Sequence, residues 1–248
     1  RTGHFEKRRG KRLGKGGFRM IYVTGDTHGD FSRYLDFSAR EKPTKADVMI
    51  VLGDAGLNYY GGKEDEARKE FVNGFPFTTF CIHGNHEMRP SDLAGYISKE
   101  YRGGLVRYEE KYPNLLFAED GEIYDFDGRE CIVIGGAYSV DKYFRLAKGW
   151  RWFENEQPSE EIKVRVEKQL EKRNFKIDTV LSHTCPLRYE PTEVFLSGLD
   201  QSTVDQSTEE WLGKIEAALD YREWLCGHFH TTKTIDKMRF LFQGMEVL

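Results

Sequence analysis

The sequence lacks any apolar run long enough to cross a membrane. A membrane-spanning helix needs roughly 18–20 apolar residues, whereas the longest runs in these 248 residues are short pieces such as 48–52 and 131–134. The sequence also lacks a Cys-x-x-Cys pair, because its four cysteines lie 41 to 54 residues apart. Isolated cysteines in or beside apolar runs behave as small buried hydrophobes. These absences exclude a membrane-spanning protein and indicate a reduced, cytoplasmic one.

The whole chain has no large excess of one charge, but a basic segment and an acidic segment are present within it. The formal net charge is −4. Residues 1–19 carry eight Lys or Arg and one acid, whereas residues 20–248 carry 29 basic and 40 acidic residues. The basic segment could be a nucleic-acid-binding arm. Its glycine-rich, aperiodic sequence favours a flexible or non-native leader, with Met20 as the natural start. Residues 20–248 contain no repeat and no Pro/Ser-rich linker, which predicts a single domain.

Short apolar runs alternate with amphipathic stretches along the chain, a pattern typical of an α/β fold. The runs predict strands at 20–24, 48–52, 78–82, 115–118, 122–126, 130–135, 179–182 and 223–227. Two late runs, 231–236 and 239–242, predict a closing hairpin. Residues 138–156, dense in aromatic and basic side chains but without helical period, are predicted to form a loop, as are the polar residues 197–206.

Three helices follow from the spacing of apolar residues. The first begins after Asp30, the second after Ser159, and the third at a capping box that starts at Ser207. The residues on their predicted core faces are Phe31, Tyr34, Leu35 and Ser38, then Ile162, Val166 and Leu170, and then Trp211, Ile215 and Leu219.

Polar side chains follow five of the predicted strands, at the point where each strand ends. The carboxyl ends of parallel strands form the ligand-binding edge of an open α/β sheet. Oxygen and nitrogen donors of this kind suit Mn, Fe or Zn. Seven donors are too many for one tetrahedral ion but enough for two ions that share a carboxylate. The candidate donors are Asp26, His28, Asp54, Asn85, His183, His228 and His230.

Each of these motifs also has a purely structural interpretation. A Gly-Asp pair is often a turn, a single histidine after a strand is often a core residue, and His-x-His places two rings on one face of a strand. The occurrence of all these motifs in one chain favours a metal site, because five of the seven histidines fall within the strand-end motifs. A glycine precedes a donor at Gly25, Gly53, Gly84 and Gly227, and we expect each of them to allow a sharp turn into the site.

The ordered set Asp-x-His, Gly-Asp, Gly-Asn-His-Glu, a single His and Gly-His-x-His resembles the calcineurin-like metallophosphoesterases, relatives of the Ser/Thr protein phosphatases. The resemblance spans residues 20 to about 232. It implies a four-layer αββα sandwich of two mixed β-sheets flanked by helices, with a dinuclear metal site at one edge. By the family pattern, Asp26, His28, Asp54 and His230 would hold one divalent ion, and Asp54, Asn85, His183 and His228 the other. Mn²⁺ is the first expectation, with Fe, Zn and Mg as alternatives.

The resemblance also implies hydrolysis of a phosphate ester. Two cations at such a site lower the pKa of a shared water, so that hydroxide exists near neutral pH. His86 is placed by the resemblance to protonate the leaving group or to stabilise the transition state, although it could instead be a supporting hydrogen-bond partner. The first hypothesis is a phosphomonoesterase acting on a small molecule or a phosphoprotein. The alternatives are a phosphodiesterase acting on a cyclic or small nucleotide, and a binding scaffold without catalysis.

The sequence departs from the protein phosphatases where those enzymes grip phosphate. Leu57 and Asn58 stand where they carry an acid and an arginine, and His83 stands where they carry a second arginine. We therefore expect the substrate-binding residues in the aromatic and basic segment, where Arg145 is the preferred clamp because its guanidinium matches phosphate geometry. Lys142 and Tyr143 are further substrate-binding candidates in this segment. Trp150 and Trp152 could stack on a planar group or pack in the core. Arg188, further along the chain, is a second possible phosphate clamp.

The expected partners follow from the charge distribution. The acidic residues 20–248 disfavour long nucleic acid, which a nuclease would hold through its phosphate backbone. A phosphorylated small molecule, a phosphoprotein or a small nucleotide is compatible with this charge, and a membrane partner is not expected. The sequence leaves the physiological substrate and the oligomeric state open.

Overall fold

The structure is a computed structural model that describes residues 12–13, 17–195, 197–198 and 200–248. The predicted leader over 1–19 therefore lies mostly outside the described residues. Within it, β1 (Arg12–Leu13) pairs antiparallel with β2 (Gly17–Phe18).

A seven-stranded mixed sheet contains the first predicted strands. Its members are β3 (Ile21–Thr24), β4 (Val48–Val51), β5 (Thr78–Cys81), β6 (Tyr96–Tyr101), β7 (Gly104–Glu109), β8 (Leu115–Ala118) and β15 (Met245–Val247). The strand order is β15-β3-β4-β5-β8-β7-β6. The central strands β3, β4, β5 and β8 are parallel, and the outer strands pair antiparallel with their neighbours. The parallel strands thus end at the same edge of the sheet.

A six-stranded mixed sheet is built from the rest of the strands. Its members are β9 (Ile123–Asp125), β10 (Glu130–Ile134), β11 (Lys176–Ser182), β12 (Asp220–Cys226), β13 (Lys233–Ile235) and β14 (Met238–Phe240). The order is β13-β14-β12-β11-β10-β9, with β10, β11, β12 and β14 parallel. The predicted closing hairpin is confirmed as the antiparallel pair of β13 and β14.

Five α-helices lie in the described part of the chain. They are α1 (Ser32–Glu41), α2 (Lys63–Asn73), α3 (Lys142–Lys148), α4 (Glu160–Glu171) and α5 (Ser207–Ala218). A search for a helix both long and apolar enough to span a membrane finds none among the described residues.

Three hydrophobic clusters stack the elements into four layers. The period of two along a strand divides its side chains between two cores: Cys131 and Val133 of β10 pack between the two sheets, whereas Ile132 belongs to the cluster that includes residues of α4 and α5. On the far side, Met49 of β4 packs in a cluster with Tyr34 of α1. Helices therefore cover the outer face of each sheet, and the predicted αββα sandwich is confirmed.

The predicted helix details need three corrections. The first helix buries Tyr34 and Phe37, whereas Leu35 is 54% exposed. The third helix forms without the predicted capping box: the Ser207 amide donates to Asp205 Oδ1 at 3.0 Å, and the side chain of Glu209 is buried. The predicted loop 138–156 contains the two-turn helix α3. The cap of α4 is confirmed, since the Ile162 amide donates to Ser159 Oγ at 3.3 Å.

The prediction missed α2 and the strands β6, β7 and β15. Helix α2 is highly charged and buries a single apolar side chain, that of Val72, beside Asp65 and Lys69. Strand β6 lies at the edge of its sheet and is half exposed. Elements that bury so little apolar surface leave no hydrophobic period in the sequence.

Candidate metal centre and adjoining cavities

The candidate donors lie on loops that follow strands of both sheets. The loops after β3, β4 and β5 carry Asp26, His28, Asp54 and Asn85, and those after β11 and β12 carry His183, His228 and His230. A hydrogen bond joins the two sets across the sandwich: the His228 amide donates to Asp26 Oδ1 at 2.9 Å. Within the first set, the His86 amide donates to Asp54 Oδ1 at 2.8 Å. All seven predicted donors are therefore brought to one edge.

Four of the seven donors have left-handed backbone conformations. The φ angles are 46° at His28, 49° at Asp54, 65° at His228 and 49° at His230. Residues other than glycine adopt this region infrequently and at a cost. The packing of the loops therefore holds the donors in place against local backbone preference, as is common at functional sites.

The glycines before the donors act mainly through their lack of a side chain. Only Gly53 has the expected left-handed turn, with φ 94°. At Gly84, a Cβ atom would lie 2.8 Å from Asp54 Cα and closer still to the Asp54 amide nitrogen. At Gly227, it would lie 2.9 Å from the Leu52 carbonyl oxygen. The expectation of a sharp turn at every glycine was therefore wrong, because close packing of the loops explains the other positions.

The first donor cluster consists of Asp26, His28 and His230. The Nε2 atoms of the two histidines lie 2.8 Å apart. Asp26 Oδ2 lies 3.2 Å from His230 Nε2 and 3.7 Å from His28 Nε2. Asp26 is buried, and its Oδ2 has no partner with hydrogen-bond geometry among the described residues. A buried carboxylate oxygen without a hydrogen bond is costly unless a cation compensates for it.

The second donor cluster brings two acceptor atoms face to face. His183 Nδ1 lies 2.7 Å from the Leu52 carbonyl oxygen, so this nitrogen carries the proton and Nε2 presents a lone pair. That Nε2 lies 2.7 Å from Asn85 Oδ1, which is oriented by the amide group of Asn85 donating to Ser139 Oγ. His228 Nδ1 lies 3.1 Å from the same oxygen. Such convergence of possible ligand atoms fits a bound cation.

Asp54 lies between the two clusters. Its Oδ1 is 3.7 Å from His183 Nε2 and its Oδ2 is 3.9 Å from His28 Nδ1, which is the position a bridging carboxylate requires. Burial alone would raise the pKa of Asp26, but His230 and the neighbouring histidines lower it overall, so this carboxyl group is ionised. Burial and the nearby His183 lower the pKa of His228 to about 3, which leaves its ring neutral. Ionised carboxylates and neutral imidazoles are the protonation states that metal ligation needs.

His86 stands beside this centre and lines two cavities. Its Nε2 lies 4.0 Å from Asp54 Oδ2, and its ring is partly exposed. Burial lowers the pKa of His86 below the ordinary value. The ring therefore faces the space in which a substrate bound at the centre would lie.

The three residues at which the sequence departs from the protein phosphatases have other surroundings than a substrate cavity. Leu57 is fully buried, and Asn58 Oδ1 accepts a hydrogen bond from the Tyr96 hydroxyl at 2.8 Å. His83 is buried as well. None of these three side chains lines either cavity among the described residues.

One cavity beside the centre is basic and aromatic. Its volume is about 570 Å³, and we call it the basic cavity. Of the three predicted substrate-binding residues, Arg145 lines this cavity, whereas Lys142 and Tyr143 do not. Lys142 Nζ lies 4.0 Å from the centre of the Trp152 ring, and Tyr143 is 66% exposed. Arg188 pairs with Glu216 at 2.6 Å and does not line this cavity. The lining residues are His28, Gly56, Tyr59, Tyr60, Arg68, His86, Arg145, Gly149, Trp150 and Arg151.

Sequence reasoning missed Arg68, Arg151 and the pair Tyr59 and Tyr60. Arg68 lies on α2, which the apolar pattern did not predict. The two tyrosines follow the Gly-Asp motif closely enough that their proximity to Asp54 could have flagged them.

A second cavity that His86 also lines is acidic and apolar. Its volume is about 360 Å³, and we call it the acidic cavity. Its carboxyl groups belong to Asp54, Asp141, Glu190, Asp205 and Glu209, and its apolar lining includes Val140, Val194, Phe195, Val204 and Phe229. The centre thus opens to two spaces of different chemistry.

Comparisons with known proteins show what this sequence and this structure are similar to. The sequence matches the family described as calcineurin-like phosphoesterase over residues 20–232. A comparison with curated proteins gives no match. Among solved structures, TT1561 of Thermus thermophilus is 13% identical, with a TM-score of 0.47, covering 92% of this chain and 97% of that one. The protein of unknown function AQ665 from Aquifex aeolicus is 13% identical, with a TM-score of 0.34, covering 69% of this chain and 82% of that one.

Proposed function

The chain belongs to the calcineurin-like phosphoesterase family, and from that premise we propose that it is a metal-dependent phosphoesterase acting on a phosphomonoester. The observation that carries the proposal is the convergence of seven donors among the described residues. Asp26 Oδ2 is buried between His28 and His230, and His183 Nε2 faces Asn85 Oδ1. The substrate would be a phosphorylated small molecule or a phosphoprotein.

The residues divide into two ligand sets around a shared carboxylate. Asp26, His28, Asp54 and His230 would hold one divalent ion, and Asp54, Asn85, His183 and His228 the second, with Mn²⁺ as the first choice and Fe, Zn and Mg as alternatives. Such a pair supplies Lewis-acid catalysis and neutralises phosphoryl charge.

The protein's own groups orient and complete the reaction. The Ser139 hydroxyl accepts from the Asn85 amide and so turns Asn85 Oδ1 toward the centre. The Leu52 carbonyl oxygen holds His183 in the tautomer that presents Nε2. His86 is the group placed to give a proton or a hydrogen bond to the departing oxygen of the ester. Arg145, at the edge of the same cavity, would orient the phosphoryl group.

The test is hydrolysis of p-nitrophenyl phosphate by protein loaded with Mn²⁺. We expect turnover that Asp54→Ala abolishes, because this change removes the carboxylate that lies between the two clusters. The matched control is Asp36→Ala, which removes an exposed carboxylate from α1 and should leave the rate unchanged. Absence of turnover with Mn²⁺, Fe²⁺, Zn²⁺ and Mg²⁺ on monoester and diester probes would refute the proposal.

A phosphodiesterase is the second candidate, and one observation favours it. His86 lines both cavities, so an ester with an organic group on each side of phosphorus could place one group in each cavity. A cyclic or small nucleotide is the corresponding substrate. Comparison of p-nitrophenyl phosphate with bis(p-nitrophenyl) phosphate separates the two candidates, since the preferred probe has the higher kcat/KM.

A further inference from the structure

The two cavities that His86 lines differ in their charged side chains. Arg68, Arg145 and Arg151 line the basic cavity, and none of its described lining residues is acidic. The acidic cavity has five carboxyl groups and no Lys or Arg among its described lining residues. The anionic part of a bound substrate therefore meets basic side chains only in the basic cavity.

The arginines of the basic cavity are held in fixed positions. Arg68 donates to the Gly56 carbonyl oxygen at 3.1 Å and to Glu64 at 3.2 Å. Its guanidinium packs on Gly29, where a Cβ atom would lie 2.6 Å from one terminal nitrogen. Gly29 follows the donor His28 in the chain, so Arg68 lies close to the centre.

Arg145 and Arg151 extend the positive surface away from the centre. Arg145 Nε donates to Asp141 at 2.7 Å, and one terminal nitrogen lies 3.3 Å from the Tyr59 hydroxyl. Arg151 is exposed and contacts Met88 Sδ at 3.7 Å. It pairs with no carboxylate among the described residues, so its charge is uncompensated.

Arg68 and Arg145 are paired with carboxylates, so the charge of Arg151 is the one in excess. A single phosphoryl group whose oxygens were held by two metal ions would not need this third guanidinium group. Guanidinium forks bind phosphate and carboxylate groups with two parallel hydrogen bonds. A cavity of about 570 Å³ also lies within the range for a whole small-molecule ligand of roughly 300–1,000 Å³. The extra charge and volume indicate a substrate with a second anionic group.

Aromatic rings line the same cavity. Trp150 is 55% exposed, and its ring is held by an edge contact with Phe144, with centroids 5.6 Å apart. Tyr60 is packed against Tyr59 at 4.8 Å and lies under the guanidinium of Arg68 at 5.1 Å. Supported, exposed rings of this kind provide surfaces on which a planar group can stack.

We propose that the basic cavity binds a second phosphate and a planar ring of the substrate, so that the preferred ester is a nucleoside or aryl compound that carries a further phosphate. The inference rests on the proposed phosphoesterase function and deepens it by naming the substrate class. The carboxyl groups of the acidic cavity direct the anionic part of such a substrate to the arginine side.

The experiment compares adenosine 3′,5′-bisphosphate with adenosine 5′-monophosphate, which differ only in the second phosphate. In Mn²⁺-loaded protein we expect kcat/KM to favour the bisphosphate by about tenfold or more, equivalent to about 1.4 kcal/mol. Calorimetry on the Asp54→Ala protein gives the dissociation constants without turnover, and the same preference is expected there.

Two variants test which residues are responsible. Arg151→Gln should reduce the preference to about threefold or less, whereas Lys148→Gln, which removes an exposed charge of α3 outside the cavity lining, should retain it. Trp150→Leu should weaken binding of the bisphosphate but not of inorganic pyrophosphate, which has no ring. Thermal unfolding confirms that each variant is folded.

The outcomes separate this inference from the function on which it rests. Hydrolysis of aryl phosphates with equal kcat/KM for the two nucleotides, or a preference that survives Arg151→Gln, would overturn the substrate class and leave the phosphoesterase function standing. Binding of the bisphosphate that depends on Arg151, without hydrolysis of any probe, would support the binding site and overturn the function.

Discussion

Replacement of Gly84 by alanine is the most direct test of how the loops form the centre. Gly84 lies between β5 and Asn85, and its Cα packs on the backbone of Asp54. The added Cβ atom would lie 2.8 Å from Asp54 Cα, whereas ordinary carbon contacts start near 3.4 Å. The nearest atoms are the backbone and the buried carboxylate of Asp54, so no flexible side chain can move aside.

The magnitude follows from the separation that Gly84→Ala must produce. Relief of the clash moves the loop after β5 away from the loop after β4 by about 1 Å or more, because the Cβ atom would lie closer to the Asp54 amide nitrogen than to Asp54 Cα. Overpacking of this kind costs about 1–3 kcal/mol of stability. Two hydrogen bonds are strained at the same time, from the His86 amide to Asp54 Oδ1 at 2.8 Å and from the Gly84 amide to Glu87 Oε1 at 2.9 Å. A displacement of about 1 Å within a catalytic site lowers the rate by about 100-fold.

The assay measures kcat/KM for p-nitrophenyl phosphate, the Mn²⁺ dissociation constant and the unfolding midpoint of the Gly84→Ala protein. We expect a loss of about 100-fold in kcat/KM and weaker Mn²⁺ binding. The control is Gly213→Ala in α5, where a Cβ atom meets nothing within 4 Å and where alanine should stabilise the helix by roughly 0.5–1 kcal/mol. If Gly84→Ala kept its rate within about threefold, the close approach of the two loops would not determine the geometry of the centre.

Three further predictions concern stability, pH and the basic segment. Burial raises the pKa of Glu209 to about 7, so the stability contributed by its protonated form is present below pH 4.5 and lost as the pH rises through 7. In chelator-treated protein, Glu209→Gln should therefore reduce the stability difference between pH 5 and pH 8 by up to about 3 kcal/mol in urea titrations; an unchanged difference would contradict the assignment. Trp224 is fully buried and donates to Ser182 Oγ at 2.6 Å. Trp224→Phe should therefore lower the free energy of unfolding by about 2–3 kcal/mol in urea titrations. A loss under about 0.5 kcal/mol would show that the surrounding core repacks. Deletion of residues 1–19 should leave kcat/KM unchanged, and a large loss of rate would refute the leader interpretation.

The strand-end donors could be predicted because the determinants are local. A buried parallel strand reads as a continuous apolar run, and the residue after it lies at the binding edge of the sheet. Asp26, Asp54 and His183 each follow such a run, so the sequence identified them without knowledge of how the strands pair. The four-layer arrangement followed from the order of the motifs and their family resemblance.

The residues that line the basic cavity could not be predicted in the same way. Arg68 lies on a helix whose single buried apolar side chain leaves no period, and it reaches the centre by packing on Gly29 from a distant part of the chain. Lys142 and Arg145 are both basic residues of one short helix, yet Lys142 lies over Trp152 and only Arg145 lines the cavity. Which side of a short helix faces a cavity depends on packing partners that lie far away in sequence.

By itself the sequence shows no long apolar run and no Cys-x-x-Cys pair, and it predicted two aspartates, an asparagine and four histidines at the ends of strands. Apolar runs and the residues that end them decide these properties locally. The tertiary structure alone decided that three arginines and five carboxyl groups separate into two cavities that His86 lines. The physical reason is that a cavity forms where several distant loops meet, so its charge is a sum over residues whose proximity only folding creates.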